Sequence, residues 1–315
     1  MKKLFLHVGQ DKTGSSFIQS CLAKNAAALL KKYQINYPLE KVNNNAAKGH
    51  ISSGNGRLFL ENDLSLIRHM KRHHKTASLL FSQEELYLHL LKDNYWNNTK
   101  VFKRRLDIEQ VSLLLFIRDP IEHACSLYQQ KIKRGGKVIT IEDFFENYHT
   151  PLNIQNFLDK ALDSRCHVKV LNYSVEKNTI AQRVEQWLGI EENCLVLPEI
   201  EIVNRSMTLG ELELQRYLNG VLGKSGMLLS DKLCHKLPDI KPDNMVPSVE
   251  VQNALLERLR PAMEYINSRI DKRQQYRYTL LPETVNSDSL VFSKQQLQVV
   301  IESLAHKIKA LENKN

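Results

Sequence analysis

The chain has little cysteine for its length. Only five cysteines occur among 315 residues, and no two of them form a C-x-x-C pair. An odd number of widely separated cysteines argues against a disulfide framework and against a zinc site. We therefore expect reduced, mostly packed thiols, as is typical of a reducing compartment. The five are Cys21, Cys125, Cys166, Cys194 and Cys234.

Long hydrophobic runs are also missing. No stretch approaches the roughly 18 apolar residues that a membrane-spanning helix needs. The first strand-like run begins within a few residues of Met1, so we expect no signal peptide before it. These absences predict a cytoplasmic protein without a transmembrane segment.

Acidic residues are outnumbered. The chain has 44 Lys and Arg against 35 Asp and Glu, which gives a net charge of +9. Such a balance favours anionic ligands, whether nucleotides, acidic glycans or nucleic acid. No nucleic-acid-binding module or basic strand with interleaved aromatic residues is recognisable, so we expect no nucleic-acid partner. The hydrophobic content of 42% is ordinary for a globular protein.

Against these absences, residues 3–22 (KLFLHVGQDKTGSSFIQSCL) form a distinctive segment. The apolar run at its start predicts a buried parallel strand, and apolar residues recur at helical spacing after Ser16. Gly9 and Gly14 bracket the loop between them, where the backbone bends tightly. A strand, a Gly-containing loop and a helix N-terminus together favour an anion such as phosphate.

A pair of carboxylates marks the end of the next predicted core strand. Residues 77–82 read as that strand, and Glu84 and Glu85 follow it directly. The carboxyl ends of parallel strands form the ligand crevice in open α/β sheets. The two glutamates therefore belong either to that crevice or to a first helical turn, where acids favour the helix dipole.

A third segment has the same strand-to-helix form. Residues 111–117 are apolar except for Ser112, Arg118 and Asp119 follow, and Pro120 suits the first helical position. A guanidinium is suited to bidentate binding of a terminal phosphate. Ser126 lies eight residues after Arg118, about two helical turns further on.

The spacing in the first segment differs from a Walker loop, in which Lys follows the second Gly. Here Ser15 follows Gly14, and Lys12 precedes it. This order resembles the H-x-G-x-x-K-T-G-[ST]-[ST] loop of bacterial sulfotransferases that use 3′-phosphoadenosine-5′-phosphosulfate. The third segment resembles the 3′-phosphate-binding element of the same family, in which Ser follows Arg at this spacing. The matching residues are His7, Gly9, Lys12, Thr13, Gly14, Ser15, Ser16, Arg118, Ser126, Tyr128 and Gly135.

The resemblance implies a fold, a reaction and a set of roles. The fold would be α/β, with a central parallel sheet flanked by helices as in P-loop proteins and a mostly helical C-terminal part. The reaction would be in-line transfer of a sulfuryl group to an acceptor hydroxyl or amine, without a metal. Lys12 would stabilise the leaving phosphate, and Thr13, Gly14, Ser15 and Ser16 would hold the 5′-phosphate.

The resemblance also suggests a general base and further contacts. The base is a Glu in many glycan-modifying and bacterial members, so Glu84 is preferred over Glu85. His7, His89 and His123 are weaker candidates. Bacterial relatives often carry N-x-S where this chain has Asn204-Arg205-Ser206, so Arg205 and Ser206 would contact the 3′ side of the cofactor. The acceptor would be a polar or anionic carbohydrate or a small metabolite.

The remaining sequence predicts further helices and loops and the boundary of the main domain. Helical patterns predict continuous helices over about 15–32 and 57–75. Residues 40–56 predict a loop, and residues 92–110 predict a charged, exposed connection. We expect a sulfotransferase domain at 1–285 and an amphipathic helix at 286–315. In that helix Leu297, Ile301, Leu304, Ile308 and Leu311 follow heptad spacing, which suits docking on its own domain or a short homodimeric coil.

The alternative to a sulfotransferase is a nucleotide-dependent kinase, in which Asp119 would bind magnesium.

Overall fold

The computed structural model describes residues 1–39, 54–198, 205–223, 227–284 and 291–313. Most of the predicted loop at 40–56, Asn204 and the expected domain boundary at 285–286 lie outside the described residues. The chain forms two compact units. The first comprises Met1–Asp119, His149–Glu199 and Leu259–Arg277. The second comprises Pro120–Tyr148, Ile200–Arg258 and Tyr278–Asn315, so the C-terminal helix belongs to it.

A five-stranded parallel sheet organises the first unit, which confirms the predicted fold class. The strand order is β2-β3-β1-β4-β5. Strands β3 and β4 are apolar and almost wholly buried, as expected of a sheet covered on both faces. The strands are β1 (Lys3–His7), β2 (Ile35–Asn36), β3 (Ser78–Ser82), β4 (Gln110–Ile117) and β5 (His167–Asn172).

Helices cover both faces of this sheet. On one face Phe5 of β1 packs edge-on against Trp187, within a core shared with α1, α2 and α11. On the other face Phe81 of β3 contacts Phe59 and Phe102. The helices of this unit are α1 (Ser15–Lys24), α2 (Ala26–Tyr33), α3 (Gly56–Leu60), α4 (Leu64–His73), α5 (Leu86–Leu90), α6 (Asp93–Leu106), α9 (Thr150–Asp163), α10 (Tyr173–Glu176) and α11 (Ile180–Leu188).

The expectation that residues 92–110 form an exposed connection is wrong. Residues 93–106 are helix α6, and Trp96, Phe102 and Leu106 are buried on one side of it. Apart from the buried Asn98, the Asn, Lys and Arg residues of this helix lie on the opposite side, and their number obscures an apolar face with helical spacing. The charged surface is therefore real, but it belongs to an amphipathic helix.

Two helices predicted as continuous are each divided into two. The segment predicted as one helix over 15–32 breaks at Asn25, whose side chain bonds to the carbonyl oxygens of Cys21 and Val196. The helix predicted over 57–75 divides where Asp63 caps the second part, accepting from the N–H groups of Ser65 and Leu66. Both caps are local breaks inside an otherwise helical pattern.

The second unit is helical in its described part. Asn219 of α12 donates to the carbonyl oxygens of Ile132 and Lys137, and Ser230 of α13 donates to that of Lys133. These side chains join three helices by satisfying carbonyl groups at or near the end of α7. Its helices are α7 (Pro120–Gly135), α8 (Ile141–Glu146), α12 (Leu209–Leu222), α13 (Met227–Lys236), the first part of α14 (Val249–Asn267) and α15 (Lys294–Glu312).

Helix α15 docks within the second unit through a face different from its heptad seam. Val299, Val300 and Ser303 are buried, and Lys236 of α13 pairs with Glu302 at 2.8 Å. The seam residues Leu297 and Ile301 are 47% and 66% exposed. Neither this helix nor any other in the described ranges is long and apolar enough to cross a membrane.

Candidate active site

The loop between β1 and α1 carries most of the predicted site residues. Three of its residues have positive φ: Gly9 at 26°, Lys12 at 57° and Gly14 at 82°. Glycine adopts this region freely, whereas a lysine is strained there. A strained residue between two glycines indicates a loop whose shape is fixed by its surroundings.

Gly9 allows the end of β3 to lie directly against this loop. A Cβ on Gly9 would lie 2.9 Å from Ser15 Oγ and 3.0 Å from the carbonyl oxygen of Gln83. The Gly9 carbonyl accepts a hydrogen bond of 2.6 Å from the N–H of Glu85. A larger residue at position 9 would therefore displace the turn that carries Glu84.

Two loop hydroxyls are engaged inside the protein. Thr13 Oγ1 and Ser15 Oγ both donate to the carbonyl oxygen of Gln10, at 2.6 and 3.2 Å. Both residues are buried, whereas Ser16 is exposed. Thr13 and Ser15 thus brace the loop through their side chains, which leaves their backbone N–H groups and the Ser16 hydroxyl for a ligand.

The start of α1 is suited to an anion. Gly14 is its N-cap, and no side chain in the described part of the chain caps its first turn. The first intrahelical bond runs from the Ile18 N–H to the Gly14 carbonyl at 3.1 Å. The N–H groups of Ser15, Ser16 and Phe17 precede that bond, so they have no intrahelical acceptor. Together with the helix dipole they form a site that fits a phosphate or sulfate group.

Glu84 lies in the turn after β3, where its half-buried carboxyl group faces this loop. Burial raises the pKa of Glu84, and the nearby Asp11 and Glu85 carboxylates raise it further. The Lys12 ammonium and a hydrogen bond from the Lys12 N–H oppose that rise, and the pKa remains above its ordinary value. A raised carboxyl pKa is the direction that a general base near neutrality requires.

Glu85 has a different environment. It is exposed, has φ 58° and precedes α5 as its N-cap. Neither glutamate is in the first turn of α5, which contains no acidic residue. The helical-turn interpretation of this pair therefore disagrees with the structure, and the crevice interpretation stays a prediction.

Arg118 connects the β4 motif to the β1 loop. Its Nη1 donates to the carbonyl oxygen of Lys12 at 3.2 Å, and its guanidinium carbon lies 5.5 Å from the centroid of the Tyr173 ring. That ring also lies against Gly14, where a Cβ would be 3.2 Å from Tyr173 Cε2. Two motifs separated by a hundred residues thus meet at one place.

The strand order explains this meeting. Strands β1 and β4 are neighbours, and the chain leaves β1 towards β2 on one side and β4 towards β5 on the other. The carboxyl ends of two such strands open a crevice at the topological switch point. We call the loop at 9–16 together with Glu84 and Arg118 the loop–carboxylate site.

Asp119 holds structure rather than facing that site. It is 6% exposed, and its Oδ1 accepts hydrogen bonds from Asn172 Nδ2 at 2.8 Å and from the Arg277 N–H at 3.0 Å. Its own N–H donates to Ser174 Oγ. These bonds join the ends of β4 and β5.

Three predicted cofactor contacts belong to the second unit. Ser126 is half-buried in α7, and Ser206 is exposed before α12. Arg205 forms a buried bidentate ion pair with Glu211 at 2.7 Å, with the two side chains 3% and 0% exposed. Its guanidinium also donates to the carbonyl oxygens of Ser206, Leu233 and Leu237.

These contacts give Arg205 a structural role, and its expected contact with the cofactor stays a prediction. Burial would lower the pKa of Arg205, but the Glu211 hydrogen bond and charge raise it. Burial likewise favours a raised pKa for Glu211, and Arg205 brings it below its ordinary value. Each group therefore keeps the other charged in the interior.

The histidine candidates for a base are less well placed than Glu84. His7 is fully buried, its Nδ1 lies 2.8 Å from Ser82 Oγ, and burial lowers its pKa to about 3. His123 is also fully buried, in the second unit, with Nδ1 2.8 Å from the Tyr148 hydroxyl. His89 is half-buried, and its ring contacts Tyr95 edge-on.

Two residues near the site, Asn172 and Tyr173, have roles that the sequence pattern did not predict. Tyr173 supports Arg118 and Gly14, and Asn172 holds Asp119. The sequence signal was the Asn172-Tyr173 pair at the end of β5, at the same edge of the sheet as the other motifs. The sequence pattern does not show which side chain of this pair faces Arg118, because that depends on tertiary packing.

Comparison with known proteins gives little further information. No family model and no curated protein matches the chain. The crystal structure of a sulfotransferase from Alicyclobacillus acidocaldarius is similar to 86% of this chain and 96% of its own, with 13% identity and a TM-score of 0.42. That likeness is too distant to carry a functional argument.

Proposed function

We propose that this chain is a sulfotransferase that moves a sulfuryl group from 3′-phosphoadenosine-5′-phosphosulfate to a hydroxyl group of a carbohydrate or another polar metabolite. The observation that supports this most is the contact of Arg118 with the Lys12 loop and Tyr173. It brings together two motifs that each resemble a phosphate-binding element of this family.

The first unit supplies residues for each part of such a donor. The free N–H groups at the start of α1 and the Ser16 hydroxyl would hold the 5′-phosphate. Arg118 would bind the 3′-phosphate, since a guanidinium forms charge-assisted bonds with phosphate oxygens. Ser126 and Ser206 remain predicted contacts on the 3′ side. When bound, the donor supplies an activated sulfuryl group.

Lys12 and Glu84 would carry the charge and proton changes. Lys12 lies in the loop at the start of α1, where a cation can stabilise the charge that develops on a leaving phosphate. Glu84 would accept the proton of the acceptor hydroxyl. Its backbone bond to Lys12 and its raised pKa support that assignment.

The kinase alternative depends on Asp119. A Walker-B-like aspartate must offer its carboxylate to magnesium. The Asp119 carboxylate is buried and accepts bonds from Asn172 and Arg277 instead. The position of Lys12 before Gly14, where a kinase loop has Lys after it, also favours sulfuryl transfer.

Thermal stabilisation distinguishes the two enzymes. We expect adenosine 3′,5′-bisphosphate to raise the melting temperature without magnesium, because a ligand that binds the folded state stabilises it. ATP with magnesium should have a smaller effect. A larger shift with ATP that requires magnesium would contradict the proposal, as would the absence of any shift with the bisphosphate.

A further inference from the structure

A cavity of about 440 Å³ lies along the outer edge of β5 in the first unit. Strand β5 is the last strand of the sheet, and its other long side pairs with no strand among the residues that the structure describes. The cavity lies between α9, α11 and the segment 269–274 that follows α14. None of its lining residues belongs to the loop–carboxylate site, and its volume is in the range of about 300–1,000 Å³ typical of small-molecule sites.

The lining of this cavity is strongly cationic. Lys169, Arg183, Arg269 and Arg273 line it, against one lining carboxylate, that of Asp271. Asp271 Oδ1 accepts from the Arg273 N–H at 2.8 Å, so it caps a short helical turn. The Arg273 N–H therefore offsets part of the negative charge of Asp271.

Two of the four cations are already paired. Arg183 Nε lies 2.7 Å from Glu176 Oε2. Arg269 donates to the Tyr265 carbonyl oxygen, and its guanidinium covers the Tyr265 ring at 3.3 Å from the centroid. These two residues hold the cavity wall in shape.

The other two cations have no partner in the described parts of the chain. No hydrogen bond or ion pair involves the Lys169 ammonium or the Arg273 guanidinium there. Lys169 is half-buried, so its charge is partly removed from water. Burial lowers its pKa and Arg183 adds to that effect, while Glu176 opposes it. Glu176 is already paired with Arg183, so a bound anion would further stabilise the partly desolvated Lys169 ammonium.

The rest of the lining is apolar apart from Gln274. Leu158 and Leu162 of α9 form one wall, and Val168 and Val170 of β5 lie beside them. The Asn172 N–H donates outwards to Gln274 Oε1 at 2.7 Å. Because the N–H groups of a strand alternate in direction, those of Val168 and Val170 point to the same outer side.

We propose that the β5-edge cavity binds a small organic anion that has an apolar group, with Lys169 and Arg273 on the anionic group and Leu158 and Leu162 on the apolar group. Phosphate, sulfate and carboxylate share the required charge. The apolar wall excludes a bare inorganic ion as the best ligand. This proposal does not depend on the sulfotransferase assignment.

Isothermal titration calorimetry with phenyl phosphate tests the site on the full chain. We expect saturable binding with a stoichiometry of one when adenosine 3′,5′-bisphosphate is present in excess to occupy the loop–carboxylate site. Lys169→Met and Arg273→Met should each weaken it by about tenfold or more, as expected for a charge-assisted bond. Lys272→Met removes a neighbouring exposed charge outside the lining and should leave affinity unchanged. Benzyl alcohol, which is neutral, should not bind.

Several outcomes would overturn the proposal. One is the absence of binding, and another is equal weakening by Lys272→Met, which would indicate general surface electrostatics. Retained affinity in Arg273→Met would also exclude the site, and this exposed residue can be replaced even where Lys169→Met fails to fold. If Lys169→Met binds phenyl phosphate as the wild type does but self-associates, Lys169 protects the exposed edge of the sheet and does not bind the anion.

Discussion

The Arg118 guanidinium donates a hydrogen bond to the carbonyl oxygen of Lys12, 106 residues earlier in the chain. Arg118 directly follows β4, and Lys12 lies in the strained loop after β1. The bond therefore ties the two adjacent strand ends together. It also means that a change at Arg118 alters the loop as well as any ligand bound beside it.

Lys12→Ala should lower the rate of sulfuryl transfer by about 10²–10³ while the product nucleotide still binds. The ammonium acts mainly on charge that develops in the transition state, and loss of one such donor has an effect of this size. Single-turnover kinetics and calorimetry on the same variant check both statements. Lys31→Ala, at an exposed position of α2, is the matched control. Near-normal turnover in Lys12→Ala would exclude the assigned role.

Arg118→Ala should weaken binding of adenosine 3′,5′-bisphosphate far more than binding of AMP. A charge-assisted hydrogen bond contributes about 1.5–3 kcal/mol, which is more than tenfold in affinity. A smaller loss common to both ligands should come from the released Lys12 carbonyl. Titrations with both nucleotides measure the difference, with Arg104→Ala as an exposed arginine control. Equal losses for the two ligands would show that Arg118 is only structural.

Glu84→Gln should keep nucleotide affinity and lose about 10²–10⁴ in rate, the usual scale of general base catalysis. The wild-type rate should rise with pH through the raised pKa of Glu84, because the base must be ionised, and the variant should lack that rise. Glu85→Gln is the matched control and should have little effect, since Glu85 is exposed. If only Glu85→Gln slows transfer, the base has been assigned to the wrong glutamate.

The same variant predicts a change in stability with a definite sign. The folded-state pKa of Glu84 is raised, so its contribution to stability is present below the unfolded pKa and is lost as pH rises through the folded pKa. Glu84→Gln should therefore melt at a higher temperature than wild type at neutral pH, and the difference should shrink in acid. A variant that is less stable at neutral pH would show that the carboxylate supports the fold.

Arg205→Met should destabilise the protein by about 3–5 kcal/mol, because it leaves the Glu211 charge buried without its partner. The double variant Arg205→Met with Glu211→Leu should recover part of that loss, since it removes both charges. Denaturant unfolding measures both free energies. A stable Arg205→Met protein with weakened nucleotide affinity would support the cofactor role for Arg205.

Ile301→Glu should convert a homodimer to a monomer if the heptad seam of α15 joins two chains. The side chain of Ile301 is 66% exposed and that of Ile308 is 58% exposed, whereas the helix docks through Val299 and Val300. A charge at the seam would be desolvated in a dimer but solvated in a monomer. Light scattering on both proteins measures the mass, with Ala305→Glu, at an exposed position of the same helix, as the control. A monomeric wild type would exclude the seam as a dimer contact.

The sequence by itself determined the elements that depend on local pattern. Apolar runs bounded by polar turns predicted strands β1, β3 and β4, and Gly9, Gly14 and Pro120 marked the turns that lead from a strand into a helix. Positive φ at Gly9 and Gly14 and the helix start at Ser15 follow from residue type, because only glycine adopts such backbone freely.

Only the tertiary structure decided what each polar group does. Arg118 and Arg205 are the same residue type, each before a helix, yet one touches the Lys12 loop and the other is buried against Glu211. Thr13 and Ser15 carry the predicted hydroxyls but use them on the Gln10 carbonyl. Helix α6 was hidden because its apolar residues are few, and their burial depends on Phe59 and Phe81 from distant parts of the chain. The partner of a side chain is set by long-range packing, which local sequence spacing does not contain.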